Sequence, residues 1–196
     1  ADLLKHLDRT SISRQREGLE VINSQAKNLT AFLDSYHRLT HLPEPEYKTV
    51  SVPALFTKLE RLLQAEPRSE RVVYCDGKAD RSTGKELQVY GDANLLTLAL
   101  INLIRNALQA VEGLEDGIVW VDTCAGATGH LLIIITDNGP GIPPERLSAI
   151  FTPFFSTKSG GSGIGLPISQ RIMQLHGGQL SVSSIPNVRT EFRMEF

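Results

Sequence analysis

Asn102 and Asn106 stand four residues apart in the run Asn102-Leu103-Ile104-Arg105-Asn106-Ala107-Leu108. That spacing sets both amides on one face of a helix, with apolar residues on the other. Amide oxygens suit a hard cation such as Mg²⁺, which keeps waters and takes few protein ligands. Two solvated asparagines on a helix would look the same. A second cluster, Asp137-Asn138-Gly139-Pro140-Gly141-Ile142-Pro143, directly follows a strand-like run at 131–136. A strand that ends in this way places a carboxylate at the mouth of a sheet. The carboxylate can accept a hydrogen bond from an exocyclic amine, and the glycines let a flat ring approach the backbone. Asn-Gly is equally the mark of a tight turn. A third cluster, Lys158-Ser159-Gly160-Gly161-Ser162-Gly163-Ile164-Gly165-Leu166-Pro167, leads into a helix N-terminus. Free N–H groups and the helix dipole there favour phosphate, and Lys158 adds a point charge. Its spacing is neither the dinucleotide fingerprint nor a Walker loop.

The elements that must position these clusters follow from periodicity and punctuation. Residues 52–66 carry Leu55, Phe56, Leu59, Leu62 and Leu63 at helical spacing. Strands are predicted at 72–74 and 87–90, and Asp92 is placed to cap a helix running to about Val111. Residues 117–123 and 131–136 read as an antiparallel strand pair. Pro143-Pro144-Glu145 starts a short helix. A further helix runs to about His176, where Gly177-Gly178 stops it, and strands at 179–183 and 191–196 close the chain. Helices and antiparallel strands alternate without regular βαβ order, which predicts a two-layer α/β sandwich with helices on one sheet face. Ahead of it, Ile12, Gln15, Leu19, Ile22, Ala26, Leu29, Leu33 and Tyr36 repeat by threes and fours. They predict a long amphipathic helix with a narrow seam. About 30 helical residues span roughly 45 Å, so the seam is expected to pack in a hairpin or between molecules, or else onto its own domain. Pro43 and Pro45 end that helix and open a linker.

Taken in order, the asparagine helix, Asp-x-Gly-x-Gly, Phe151-Thr152-Pro153-Phe154-Phe155 and Gly-x-Gly-x-Gly resemble one family. It is the ATP-binding domain shared by histidine kinases, type II topoisomerases, mismatch-repair ATPases and heat-shock chaperone ATPases. In histidine kinases the four are the N, G1, F and G2 boxes. The resemblance covers about 49–196, and Thr190-Glu191-Phe192 resembles the family's last strand. The stretch 35–45 looks like the second helix of the dimerisation hairpin in kinases of the nitrogen-regulation type, and 151–158 is also characteristic of that branch. The implied fold is of the Bergerat type, with a mixed, largely antiparallel sheet. The implied domains are a helical arm at 1–42, a linker at 43–48 and a catalytic domain at 49–196.

The resemblance implies roles residue by residue. Asn106 would ligate Mg²⁺ with Asn102 assisting, and both would serve the transfer chemistry. Asp137 would read the adenine amine, with Gly139 and Gly141 shaping the base pocket. Gly161, Gly163 and Gly165 would form the lid over the phosphates. Lys158, Leu166 and Thr190 would complete the ATP contacts. Phosphoryl transfer needs mainly positioning and charge neutralisation. The phosphate would go to a histidine on the missing hairpin helix and then to a response-regulator aspartate, in a protein acting as a homodimer. One departure stands out: the acceptor His box is absent. His6-Leu7-Asp8-Arg9-Thr10 is a degenerate copy, too close to the seam helix to leave room for a first hairpin helix. Hydrolysing relatives carry a glutamate four residues before the metal-binding asparagine, where this chain has Asn102. An ATPase or serine kinase of the same fold, and a degenerate nucleotide-binding scaffold, remain the rivals.

Bulk composition supports a soluble module. The formal net charge of -2 over 196 residues gives no electrostatic case for nucleic acid or anionic membrane. No apolar run approaches the roughly 18 residues of a membrane span. The chain does not start at Met, so it is expected to be part of something longer. Cys75 and Cys124 fit no metal or redox spacing and are expected to be buried reduced thiols, as in a cytoplasmic protein. His37 and His41 share a helix face, but Arg38 stands where a zinc-protease motif needs glutamate.

Overall fold

The computed structural model describes residues 18–20, 22–26, 30, 33, 37, 42–75, 86–125, 130–158 and 161–196. The chain divides into two units, Ala1–Leu42 and Pro43–Phe196. In the first, residues 18–20, 22–26, 30, 33 and 37 are helical and Leu42 is not. Leu19, Ile22 and Leu33 of the predicted seam are exposed. Ile12, Gln15, Leu29 and Tyr36 lie outside the described residues, as do His6 and His41.

The second unit opens with strand β1 (Lys48–Ser51) and helix α1 (Val52–Leu63). The Ser51 hydroxyl accepts the Ala54 N–H, and Pro in the first turn needs no hydrogen-bond acceptor. Strands β2 (Val72–Tyr74) and β3 (Gln88–Gly91) follow, then helix α2 (Ala93–Ala110). Strands β4 (Val119–Ala125) and β5 (Leu131–Asp137) come next, then a single-turn helix α3 (Pro144–Leu147). Helix α4 (Gly165–Leu175) and strands β6 (Gln179–Ile185) and β7 (Arg189–Glu195) complete the unit.

Five strands form the main sheet in the order β2-β4-β5-β7-β6, while β1 and β3 pair separately. All pairings are antiparallel except β2 with β4. The sheet is therefore mixed and largely antiparallel, with the helices on one face. The linker expected to run through residue 48 ends one residue sooner, because Lys48 already pairs with Gly91. Four residues with one aliphatic side chain carry too little alternation to read as a strand.

Strand parity decides what faces the core. In β5, Ile133, Ile135 and Asp137 are buried; in β7, Thr190, Phe192 and Met194 are. Asp137 therefore follows the inward register of the isoleucines before it. The same rule corrects the reading of the cysteines. In β4, Val119, Val121 and Thr123 point inward, so Cys124 is exposed; Cys75 is half-buried, and both thiols are free. Among the described residues, no helix is long and apolar enough to cross a membrane.

Helix α2 is locked in rotation by Leu96, Ala99, Leu100, Leu103 and Ile104, all fully buried. Burying one such leucine contributes about 1.5–3 kcal/mol, so turning the helix would forfeit several contacts of that size. Its start is set by Asp92, which accepts the N–H groups of Asn94 at 2.8 Å and Leu95 at 3.1 Å. The second Asp92 oxygen accepts the Glu46 N–H at 2.8 Å, which ties the linker to the helix. These bonds hold the carboxyl below its usual pKa despite burial, which raises it. Removing such a cap costs about 0.5–2 kcal/mol, and here a linker bond is lost with it. Asp92→Ala is expected to destabilise the unit by about 2 kcal/mol in urea unfolding. An unchanged midpoint would show that the cap is dispensable.

Candidate functional site

A cavity of about 630 Å³ opens between α2, the end of β5, α3 and the start of α4. Of the residues singled out in the sequence, Asn102, Asn106, Asp137, Gly141, Lys158, Gly161, Gly163, Gly165, Leu166 and Thr190 all line it. Gly139 does not. It sits behind the wall, where a Cβ would meet the Asp137 carboxylate at 2.6 Å and the Ala110 side chain at 3.0 Å. Its place is to let the C-terminal end of α2 close against the end of β5. Ser159 and Gly160 lie outside the described residues.

Asp137 is 2% exposed, and its carboxylate accepts the Gly139 N–H at 2.9 Å. Burial pushes its pKa up to about 6, while the Gly139 N–H and the positive charge of Lys158 pull the other way. Asp137 pairs in register with Thr190 on β7. The Thr190 hydroxyl lies 3.2 Å from that of Ser184, which also accepts the Ile142 N–H at 2.8 Å. Two further bonds pin the turn after Asp137. Asn138 accepts the Ile118 N–H at 2.8 Å, and Asn187 donates its N–H to Pro140 O at 2.8 Å. Gly141 has φ +73 and lies so close to Ile185 that a Cβ would meet its carbonyl oxygen at 2.7 Å. Only glycine fits both demands.

At the other end of the cavity, Asn102 donates from its amide nitrogen to Gly165 O at 3.4 Å. Among the described residues nothing donates to the amide oxygens of Asn102 or Asn106, which suits them to a cation. Helix α4 begins at Gly165 with no side-chain cap. Its first N–H groups therefore face the cavity with the positive end of the dipole. Gly163 has φ +65, and a Cβ on it would meet the Phe154 carbonyl carbon at 2.5 Å. Phe154 donates its N–H to Gly163 O at 3.0 Å, so the phenylalanine segment and the glycine loop fold as one piece. Lys158 keeps an exposed stem but turns its ammonium onto α2, donating to Gln109 Oε1 at 2.9 Å and to Asn106 O at 3.4 Å. Desolvation of that end lowers its pKa, while Asp137 and Glu112 raise it.

The structure adds residues to which the motifs assigned no role. Arg105 and Gln109 line the cavity with the two asparagines, and Arg146 reaches it from α3. For the first two, a spacing of three and seven from Asn102 was the available signal. Ile142, Ile150, Phe155, Ile164 and Phe192 supply apolar wall; all but Ile150 lie in the stretches singled out in the sequence, though none was assigned that part. Among the described residues, no group of three or more His, Cys, Asp or Glu side chains is placed to hold a metal.

The model of the family described as histidine kinase-, DNA gyrase B-, and HSP90-like ATPase matches residues 91–196. Sensor histidine kinase ZraS of Salmonella typhimurium is 31% identical over 168 residues, 85% of this chain and 34% of that protein. The sensory histidine kinase/phosphatase NtrB of Vibrio alginolyticus is 32% identical over 184 residues, 89% of this chain and 50% of that protein. The chain thus spans half or less of these relatives. Among solved structures, the nucleotide-free catalytic domain of histidine kinase ThkA superposes with a TM-score of 0.63 at 27% identity, covering 77% of this chain and 95% of that one.

Proposed function

The chain belongs to the histidine kinase-, DNA gyrase B-, and HSP90-like ATPase family, and from that premise we propose that its cavity binds Mg-ATP and donates the γ-phosphoryl group to a histidine. The observation that carries this reading is the polarity of the cavity. A buried carboxylate stands at one end, with amide oxygens, an uncapped helix N-terminus and the Lys158 ammonium beyond it. Asp137 accepts the adenine amine, and Gly141 and Thr190 set the ring against the sheet. The N–H groups of Gly165 and Leu166 take phosphate oxygens, with the 161–163 loop above them. Asn106, assisted by Asn102, holds the divalent cation, which when bound neutralises phosphate charge.

A histidine nitrogen attacks the γ-phosphorus as its bond to the β,γ-bridging oxygen breaks, and ADP leaves. A neutral imidazole brings its own lone pair, so no base is needed to activate it. Water would need one, and Asn102 offers an amide that cannot accept the proton. The acceptor sits on a hairpin helix of the same kinase, in a homodimer, and passes the phosphoryl group to a receiver-domain aspartate. The setting is the cytoplasm.

The test pairs this chain with a separate histidine-bearing hairpin. With Mg-ATP the hairpin is expected to acquire acid-labile label, while the chain alone releases phosphate very slowly. Steady hydrolysis near the ~10 s⁻¹ typical of enzymes, persisting in Asn102→Ala and with no label on the hairpin, would make the protein an ATPase instead.

A further inference from the structure

We infer that Arg105, anchored by Glu66, is a further binding residue for the polyphosphate of the nucleotide. The inference rests on the reading of the cavity as an ATP site and extends it to a residue of the asparagine helix that was given no role there. Helix α2 works as a ruler along the cavity. Its Asn102 end meets Gly165 at the start of α4, and its Ala110 end packs on Gly139 beside Asp137. Those points are eight residues apart, about 12 Å of helix. Arg105 is one turn from Asn102, on the lining face, and so belongs to the phosphate half.

The guanidinium is held in a defined orientation. Its Nε donates to Glu66 Oε1 at 3.0 Å, and its Nη2 donates to the same oxygen. Glu66 is itself fixed in the turn after α1: its N–H donates to Leu63 O at 2.8 Å, and its carbonyl accepts the Ser69 N–H at 3.2 Å. The Glu66 side chain is 25% exposed and that of Arg105 is 53% exposed, so the carboxylate is the sheltered anchor and the guanidinium the outward partner. Nη1 makes no bond to any described residue. An arginine pre-oriented in this way loses less freedom on taking a phosphate oxygen.

Charge points the same way. The side chains lining the cavity include the cations Arg105, Arg146 and Lys158 against the single carboxylate Asp137. Lys158 already donates to Gln109 Oε1 and to Asn106 O, toward the Ala110 end of α2, whereas Arg105 lies nearer the Asn102 end. An exposed ion pair that merely ties two elements together contributes little, and it would show no preference among ligands. A phosphate contact would.

Calorimetric titration of adenosine, AMP, ADP and ATP with Mg²⁺ separates the two. Arg105→Gln is expected to weaken ATP about tenfold, the worth of one charge-assisted contact. ADP should weaken less, and AMP and adenosine should be unchanged, which also reports an intact site. Arg105→Lys, which keeps the charge but not the fork held by Glu66, is expected to fall between Arg105→Gln and the parent chain for ATP. ATP affinity unchanged in Arg105→Gln, or an equal loss for all four ligands, would reduce Arg105 to a surface ion pair while leaving the ATP site standing. Failure of the parent chain to bind Mg-ATP would remove the nucleotide reading itself.

Discussion

Asn106→Ala is expected to abolish Mg-dependent ATP binding while leaving the fold in place. Asn106 is half-buried on α2, and no described residue donates to its amide oxygen. The helix does not depend on that side chain. Its rotation is set by the leucines on the opposite face, and Ala107 and Leu108 continue the buried stripe. Alanine is also the best helix former. The loss therefore falls on the ligand. Changing residues that only support a metal ligand costs about 10–100-fold in affinity, and a direct ligand in a site with so few others should cost at least that. Calorimetry with ATP in the presence of Mg²⁺ and of EDTA is the measurement. The parent chain should bind more tightly with the metal, and the variant should bind equally weakly in both. A folded Asn106→Ala that retains the Mg²⁺ advantage would place the cation elsewhere.

Asp137→Asn is expected to weaken ATP binding and to stabilise the fold at neutral pH, two effects of opposite sign at one residue. The carboxylate is buried with its pKa raised to about 6 from 3.8. The folded state therefore holds a proton more tightly than the unfolded state. The stability this contributes is full below about pH 4 and is lost as pH rises through about 6. At neutral pH the fold thus carries an ionised carboxylate in a poorly solvated place. A rise of that size corresponds to at most about 3 kcal/mol. Asparagine keeps an oxygen for the Gly139 N–H and carries no charge, so Tm should rise by several degrees at pH 7–8. The advantage should shrink as pH falls toward 4.

The same change removes a charged acceptor for the adenine amine. A hydrogen bond to a charged group is worth about 1.5–3 kcal/mol, so ATP affinity should drop by about ten- to a hundredfold. Two controls sharpen this. The parent chain should lose ATP affinity as pH is lowered through about 6. The variant should show only the titration of ATP's own phosphates, which both share. GTP, whose ring presents a carbonyl where adenine has the amine, should bind the parent chain poorly. A variant of unchanged affinity and unchanged Tm would mean that Asp137 is neither the base reader nor a strained carboxylate.

Much of this was legible in the sequence because it depends on local chemistry. Helix boundaries followed from Asp92, from Gly177 with its φ of +68 and from the proline pair at 143–144. The antiparallel pairing of β4 with β5 followed from proximity in the chain. The four motifs were readable because each is contiguous and keeps its own spacing, and at φ +73 and +65 glycine is the residue that fits. The burial of Asp137 was also within reach, since it stands two and four residues after Ile135 and Ile133 on the same strand face.

Other features existed only once distant segments met. The parallel pairing of β2 with β4 joins residues more than forty positions apart, and β1 with β3 is nearly as remote. Neither short strand has enough alternation to announce a partner. The withdrawal of Gly139 behind the wall, the turn of Lys158 onto Gln109 and the Glu66 anchor of Arg105 are contacts between separate elements. Spacing along one helix cannot foresee them. The raised pKa of Asp137 belongs here too, because desolvation is a property of everything packed around a group and not of the group or its neighbours in sequence. The sequence thus determined which chemical groups the protein carries and which elements bear them. The tertiary structure decided which of those groups share one cavity and in what electrostatic state, since burial and long-range pairing arise only when the sheet and helices close on each other.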